Sequence, residues 1–126
     1  MKKDIILAGV GGQGILSIAA TIGMAALSHD LYLKQAEVHG MSQRGGAVQA
    51  HLRLSDHEIY SDLIPKGEAD LILSVEPMEA LRYLPYLTES GWLIANSRSY
   101  QNINNYPDEK ELDQALRSLQ NHLVLD

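Results

Sequence analysis

The sequence predicts an α/β fold: three α/β/α layers around a mixed, mainly parallel sheet, with an expected truncation at the C-terminus. Three observations carry this. Ile5-Ile6-Leu7-Ala8 and Leu71-Ile72-Leu73-Ser74-Val75 are short and apolar at nearly every position, as strands covered on both faces are. Between and after them, apolar residues recur at helical spacing. Ala47 to Leu54 instead alternates, with Val48, Ala50, Leu52 and Leu54 on one side and Gln49, His51 and Arg53 on a wetter one. That segment breaks a purely parallel scheme. With 126 residues the chain is long enough for one domain with a single core.

The elements follow in order. The first strand closes on Gly9-Val10-Gly11-Gly12-Gln13-Gly14, and Ile15, Leu16, Ile18, Ala19, Ile22, Ala25 and Ala26 then mark a helix. Leu31 to Ala36 has strand character. Glu37-Val38-His39-Gly40-Met41-Ser42-Gln43-Arg44-Gly45-Gly46 reads as a polar, glycine-punctuated loop. After Ala47–Leu54, Ser55-Asp56-His57 reads as a turn that returns Glu58-Ile59-Tyr60-Ser61 as an antiparallel partner. Pro77 suits a first helical turn. Met78, Leu81, Leu84 and Leu87 mark one side of a short helix that Pro85 ends or kinks. Glu89-Ser90-Gly91 turns the chain into a strand at Trp92-Leu93-Ile94-Ala95, and residues 97–106 read as loop. Asp108 caps the last helix, whose core stripe is Leu112, Ala115, Leu116, Leu119 and Leu123. The strands at 5–8, 71–75 and 92–95 are expected to be central, with the 47–61 hairpin to one side. The chain stops on Leu123-Val124-Leu125-Asp126, the opening of another strand, hence the expected truncation.

Composition excludes several classes of function. The formal net charge of −6 and the absence of any basic run beyond Lys2-Lys3 speak against a nucleic-acid partner. No apolar stretch approaches the roughly 20 residues that span a bilayer, and Met1-Lys2-Lys3-Asp4 leads straight into a strand without a signal-peptide pattern. The expected location is cytoplasmic, with no membrane contact. The chain has no cysteine, so it holds no thiolate-ligated cluster, thiol nucleophile or cysteine-bound zinc. Gly14 is followed by Ile15-Leu16 where a phosphate-binding P-loop needs Lys and Ser/Thr. There is no G-x-S-x-G elbow or H-E-x-x-H pair. His29, His39, His51, His57 and His122 lack metal-ligand spacing, so no metal site and no catalytic residue is assigned.

Two segments remain as candidate sites. A strand, a glycine turn and a helix N-terminus form a ready anion site, because free N–H groups and the helix dipole point at the turn. The spacing Gly9-x-Gly11-x-x-Gly14 matches the dinucleotide fingerprint, but a close strand-to-helix turn with no nucleotide explains it equally well. The 37–46 segment is denser in hydrogen-bonding groups than a connector requires. Arg44 beside Gly45-Gly46 offers a bidentate fork to a phosphate or carboxylate, with the glycines allowing close approach. The plain alternative is that Arg44 braces the loop against Glu37. Glu37 also lies about twenty residues beyond the glycine turn, where an acid binds ribose in dinucleotide domains.

Taken together, Gly9-Val10-Gly11-Gly12-Gln13-Gly14 and the 37–46 segment resemble the gamma module of the 2-oxoacid:ferredoxin oxidoreductases. Within that family they are most similar to the small (beta) subunits of the indolepyruvate-type enzymes. A third block, Ala69-Asp70-Leu71-Ile72-Leu73-Ser74-Val75-Glu76-Pro77 with Glu79-Ala80-Leu81-Arg82-Tyr83-Leu84, extends the likeness over nearly the whole chain. The resemblance implies that residues 1–126 are a single gamma-type domain, possibly incomplete, of a subunit that is inactive alone. The enzyme would decarboxylate aryl 2-oxoacids oxidatively, pass the acyl group to coenzyme A and pass electrons to ferredoxin. Thiamine diphosphate, Mg and iron–sulfur clusters would sit on a large alpha-type partner subunit, through which ferredoxin is reached. This chain alone would bind no cofactor, which agrees with its lack of cysteine and of a G-D-G…N diphosphate motif. The residues expected to face the active site or a cofactor are Gly9, Gly11, Gly12, Gln13, Gly14, His39, Ser42, Gln43, Arg44, Gly45 and Gly46. Two alternatives stay open at this point: a free-standing Rossmann-like dinucleotide-binding domain using Gly9–Gly14 and Glu37, and a structural interaction module.

Overall fold

The computed structural model describes residues 1–39, 46–101 and 104–126, with His39 described by its backbone only. Among the described residues the elements are β1 (Lys2–Val10), α1 (Ile15–Ser28), β2 (Tyr32–His39), β3 (Ala47–Ser55), β4 (Ala69–Ser74), α2 (Pro77–Arg82), a 3-10 turn (Leu84–Tyr86), β5 (Leu87–Asn96), α3 (Glu109–Arg117) and β6 (His122–Leu125). The strands form one six-stranded sheet in the order β2-β3-β1-β4-β5-β6. β1 is antiparallel to β3 and parallel to β4; β4, β5 and β6 run parallel, and β2 is antiparallel to β3. The sheet is therefore mixed, as expected, but the antiparallel partners of β3 are β1 and β2 rather than residues 58–61.

β1 is apolar on both sides because both sides are covered. Ile6 and Ala8 join a core with Ile72, Leu93, Ala95, Ala80, Tyr83 and Leu116. Leu7 points the other way, into a core with Ile15, Ala19, Val48, Ala50 and Leu52. Helix α1 thus covers one face, and α2 with α3 covers the other. At the N-terminal end of β1 the buried Asp4 carboxylate meets Arg53 Nε at 3.0 Å and Lys2 Nζ at 2.6 Å. The Asp4 N–H donates to Asp70 Oδ2 at 2.8 Å. Asp4 and Asp70 therefore tether β1 to both neighbouring strands; removing one partner of the Asp4–Arg53 ion pair, whose carboxylate is fully buried, typically costs about 3–5 kcal/mol.

Several elements differ from the sequence reading. Residues 58–61 form no strand. Both hydrogen-bonding edges of β3 are occupied, by β1 and by β2, so no edge is left for a return strand. The segment is instead drawn across the sheet by the Arg53 guanidinium, which donates to the carbonyls of Ser61 and Leu63 at 3.2 and 3.1 Å. β2 runs to His39, so Glu37, Val38 and His39 are strand and not loop. Glu89-Ser90-Gly91 lie within β5, where the register with β4 shifts between Ala69↔Leu87 and Leu71↔Trp92. The expected turn is an irregularity inside a longer strand.

Helix α2 ends at Arg82, upstream of Pro85, and Leu87 opens β5, so of the expected stripe Met78 and Leu81 lie in α2 and Leu84 in the 3-10 turn. Asp108 does cap α3, accepting from the Lys110 N–H at 3.1 Å. Leu112 and Leu116 are its buried positions, whereas Leu123 belongs to β6.

His51 is the largest departure in chemistry. It lies on the side of β3 read as wet, yet is only 4% exposed. Nδ1 accepts from the Ile64 N–H at 3.0 Å, so the ring is neutral there and Nε2 is the donor, 3.0 Å from Gln49 Oε1. Tyr86 meets the ring edge-on at 5.7 Å. Burial lowers the His51 pKa from its ordinary 6.5; the Asp62 charge opposes this and Arg53 adds to it. A depressed native value means that the unfolded chain binds the proton more readily. The stability supplied by neutral His51 is therefore complete above the ordinary value and is lost as pH falls below it. We expect the urea midpoint to fall between about pH 7.5 and about pH 5, and the fall to be smaller in His51→Gln. Identical pH dependence in the two proteins contradicts this assignment.

Candidate functional site

The C-terminal ends of β1, β4 and β5 lie together, and the glycine turn sits on the first of them. Val10 closes β1, and the chain must then reverse into α1 within four residues. Gly12 and Gly14 do this at φ +96° and +89°, a region that side chains with a Cβ rarely adopt. Gly9 is needed for a different reason. A Cβ there would stand 2.6 Å from Val75 Cγ2 and 2.9 Å from Ile15 Cδ1, so it is the close approach of strand and helix that excludes one.

Gln13 holds the turn in shape. Its Oε1 accepts from the Val10 N–H at 2.7 Å and its Nε2 reaches the Val75 carbonyl at 3.5 Å. The Asn96 amide approaches the same carbonyl at 3.4 Å, so three strand ends are joined at one oxygen. Both polar groups of Gln13 thus face the backbone of this rim. Helix α1 begins with Gly14 as its cap, no side chain caps it, and no acid lies in its first turn. Among the described residues nothing else meets its leading N–H groups, so these and the positive end of its dipole can receive an anion. They border an open cavity of ≈350 Å³ lined by Val10, Gly11, Gly12, Gly14, Ile15, Leu16 and Val48.

The second motif arrives at the same place. The Gly11 N–H donates to the Gly46 carbonyl at 2.9 Å, and His39 pairs with Val48 at the end of the β2–β3 ladder. The root of the 40–45 segment is therefore fastened to the glycine turn. Of the expected site residues, Gly9, Gly11, Gly12, Gln13, Gly14 and Gly46 meet at this rim. Ser42, Gln43, Arg44, Gly45 and the His39 side chain lie outside the described residues.

Glu37 does not stand where a dinucleotide domain needs it. In such domains the acid closes the strand beside β1. Here antiparallel β3 takes that place and Glu37 is on β2, one strand further out, about 10 Å away at the usual strand spacing. The Gln35 side chain donates to Glu37 Oε1 at 2.8 Å. The geometry therefore does not support the ribose-binding alternative.

Sequence reasoning missed Glu76. It follows β4, is fully buried, and its Oε1 accepts from the N–H groups of Met78 and Glu79 at 2.6 and 3.1 Å. Oε2 accepts from the Tyr100 N–H at 3.0 Å and from the Tyr106 hydroxyl. Burial, and then this bond to a carboxylate, push the Tyr106 pKa well above its ordinary value. Glu76 thus caps α2 and clamps the segment after β5 to the same rim. The signal was present as an acid immediately before a proline that opens a helix.

The pyruvate ferredoxin/flavodoxin oxidoreductase family matches residues 4–120. This chain is a member of that family. It is 50% identical over 99 residues to the indolepyruvate oxidoreductase subunit IorB of Pyrococcus horikoshii, a match covering 78% of this chain and 48% of that protein. The chain spans about half the length of the curated relatives it matches. In solved structures, the keto/oxoacid ferredoxin oxidoreductase gamma subunit of Geobacter sulfurreducens shares the fold at TM-score 0.61 and 20% identity, covering 98% of this chain and 59% of that one. The 2-oxoglutarate:ferredoxin oxidoreductase of Magnetococcus marinus, solved with 2-oxoglutarate, coenzyme A and succinyl-CoA bound, does so at TM-score 0.67 and 16% identity, covering 98% of this chain and 19% of that one. The α/β architecture expected from the sequence is therefore that of oxidoreductase gamma subunits.

In this member of the oxidoreductase family the glycines of the turn do different work, and substitutions should separate them. Gly9→Ala overpacks the strand–helix contact and is expected to lower unfolding free energy by about 1–3 kcal/mol. Gly12→Ala meets no atom of the described residues within 4 Å and should lose only the cost of positive φ, about 1 kcal/mol. Urea denaturation of both variants checks this; Gly12→Ala proving the more damaging would contradict the packing role of Gly9.

Proposed function

We propose that this chain is the gamma-type module of the small subunit of an indolepyruvate-type 2-oxoacid:ferredoxin oxidoreductase. The observation that carries the reading is the meeting of the two family motifs at one rim, through the Gly11–Gly46 bond beside an uncapped helix N-terminus. The 50% identity to an indolepyruvate oxidoreductase subunit supports the aryl substrate class. In the assembled enzyme an aryl 2-oxoacid, coenzyme A and oxidised ferredoxin give acyl-CoA, carbon dioxide and reduced ferredoxin. Thiamine diphosphate, magnesium and the clusters belong to a large alpha-type subunit, which also passes electrons to ferredoxin. This chain supplies no thiolate for a cluster, since it has no cysteine, and it carries no G-D-G…N diphosphate motif.

The chain's own contribution is to bind and orient an anion at the subunit interface. The N–H groups at the start of α1 and the Arg44 guanidinium would meet a coenzyme A phosphate or the substrate carboxylate. His39, Ser42, Gln43 and Gly45 would shape the surrounding wall. Among the described residues no helix is long and apolar enough to cross a membrane, which fits a cytoplasmic enzyme.

The isolated chain is expected to show no turnover and to bind no thiamine diphosphate, whereas the chain reconstituted with its large subunit should reduce ferredoxin in an indolepyruvate- and coenzyme A-dependent way. In that enzyme Arg44→Lys keeps the charge but loses the planar fork. It should weaken anion binding by about 1–3 kcal/mol, read as a raised KM for coenzyme A or for the 2-oxoacid. Unchanged Michaelis constants with lowered thermal stability would make Arg44 a brace of the loop. Turnover by the chain alone would overturn the subunit reading.

A further inference from the structure

Residues 56–68, between β3 and β4, form neither helix nor strand. They lie on the face of β3 that carries Gln49, His51 and Arg53, opposite the face packed against α1. Side-chain packing holds this segment at one point, Ile64, which is 2% exposed; no other residue from 56 to 68 is buried. An open cavity of ≈320 Å³ separates residues 58–61 from Asp4, Arg53 and Ser55. The segment is fastened through its backbone instead. The Ile64 N–H donates to His51 Nδ1 at 3.0 Å, and Arg53 Nη1 donates to the carbonyls of Ser61 and Leu63 at 3.2 and 3.1 Å.

The two side chains differ in what can loosen them. Arg53 keeps its charge at every pH and is fixed by Asp4 Oδ1 at 3.0 Å. His51 Nδ1 accepts from Ile64 only while it carries no proton, Nε2 being the donor toward Gln49. A proton on Nδ1 sets N–H against N–H in a buried place, where an unmade bond carries its full desolvation cost. The charged groups around the ring come from each strand and from the segment itself. Arg53 on β3 opposes an imidazolium; Lys34 on β2 stands opposite Arg53, and Asp4 on β1 is already paired. Asp62, two residues before Ile64, favours the imidazolium. The Tyr86 ring meets it as a neutral edge. Burial keeps the proton off His51 at neutral pH, so the Ile64 bond is made there and is lost as pH falls.

We propose that residues 58–64 are an acid-released strap: a proton on His51 Nδ1 breaks the bond to the Ile64 N–H, and the segment lifts from β3 while the β1 ladders stay closed. Lifting takes Ile64 out of the core and brings the Asp62 carboxylate to the imidazolium, so the open form has its own ion pair. This inference rests on the fold alone and stands whether or not the proposed substrate is right.

Imidazole NMR and native-state hydrogen exchange of the full chain test this together. At about pH 7.5 the His51 ring should carry its proton on Nε2, and the Ile64 amide should be protected. At about pH 5, after correction for intrinsic exchange, Ile64 protection should fall by about tenfold or more, while Ile6 and Leu7 of β1 still exchange only by global unfolding. Asp62→Asn, at an exposed position that leaves the core intact, should move the opening to lower pH, because the imidazolium loses its attracting charge. His51→Gln should leave Ile64 protection independent of pH. The proposal is overturned if His51 takes up its proton with Ile64 protection unchanged, if Ile64 and Ile6 lose protection together, or if Asp62→Asn leaves the midpoint where it was. The same acid opening in His51→Gln overturns it equally.

Discussion

Strand β1 satisfies two opposed pairing patterns at once, antiparallel to β3 along its whole length and parallel to β4 along its middle. Its C-terminal part is also covered on both faces, and Ile6, Leu7, Ala8 and Val10 are all fully buried. Everything functional depends on that constraint. With both edges hydrogen-bonded and both faces packed, the chain at Val10 has one exit, upward from the rim, and the glycines turn it into α1. The same ladder that fixes β1 against β3 carries Gly46 to Gly11, whose N–H donates to the Gly46 carbonyl.

The rim is held by side chains that do not themselves offer charge to a ligand. Gln13 and Asn96 converge on the Val75 carbonyl, and Glu76 spends its lone pairs on four donors from two segments. A carboxylate buried so completely is tolerable only because each oxygen is hydrogen-bonded. Among the described residues, the rigid strand ends leave the backbone N–H groups at the start of α1 without a side-chain cap, which is what an anion site requires.

How much of this was legible in the sequence depended on whether one segment sufficed to specify it. The continuous apolar runs at 5–8 and 71–75, the glycine turn, the α1 stripe, Pro77 and the Asp108 cap are local signals, and each appears where it was read. The strand at 58–61 was misread because its partner's edges were already taken, a fact held by β2 and β1 rather than by the segment. His51 was misread because alternation marks a polar residue without saying that Ile64 and Gln49 will satisfy it. Glu76 was passed over since its partners, Tyr100 and Tyr106, lie more than twenty residues away in a stretch with little pattern. The exposure of Trp92 and Leu123 was not legible for another reason: an apolar strand residue looks the same in sequence whether or not a helix lies over it.

Native-state hydrogen exchange of the chain tests the central claim most directly. If β1 organises the sheet, the amides of Ile6, Leu7, Ala8 and Val10 exchange only by global unfolding, with protection matching the denaturant-derived free energy, while those of the four-residue edge strand β6 open locally and faster. Amides of β1 that exchange through local opening, while β5 and β6 remain protected, would contradict the account.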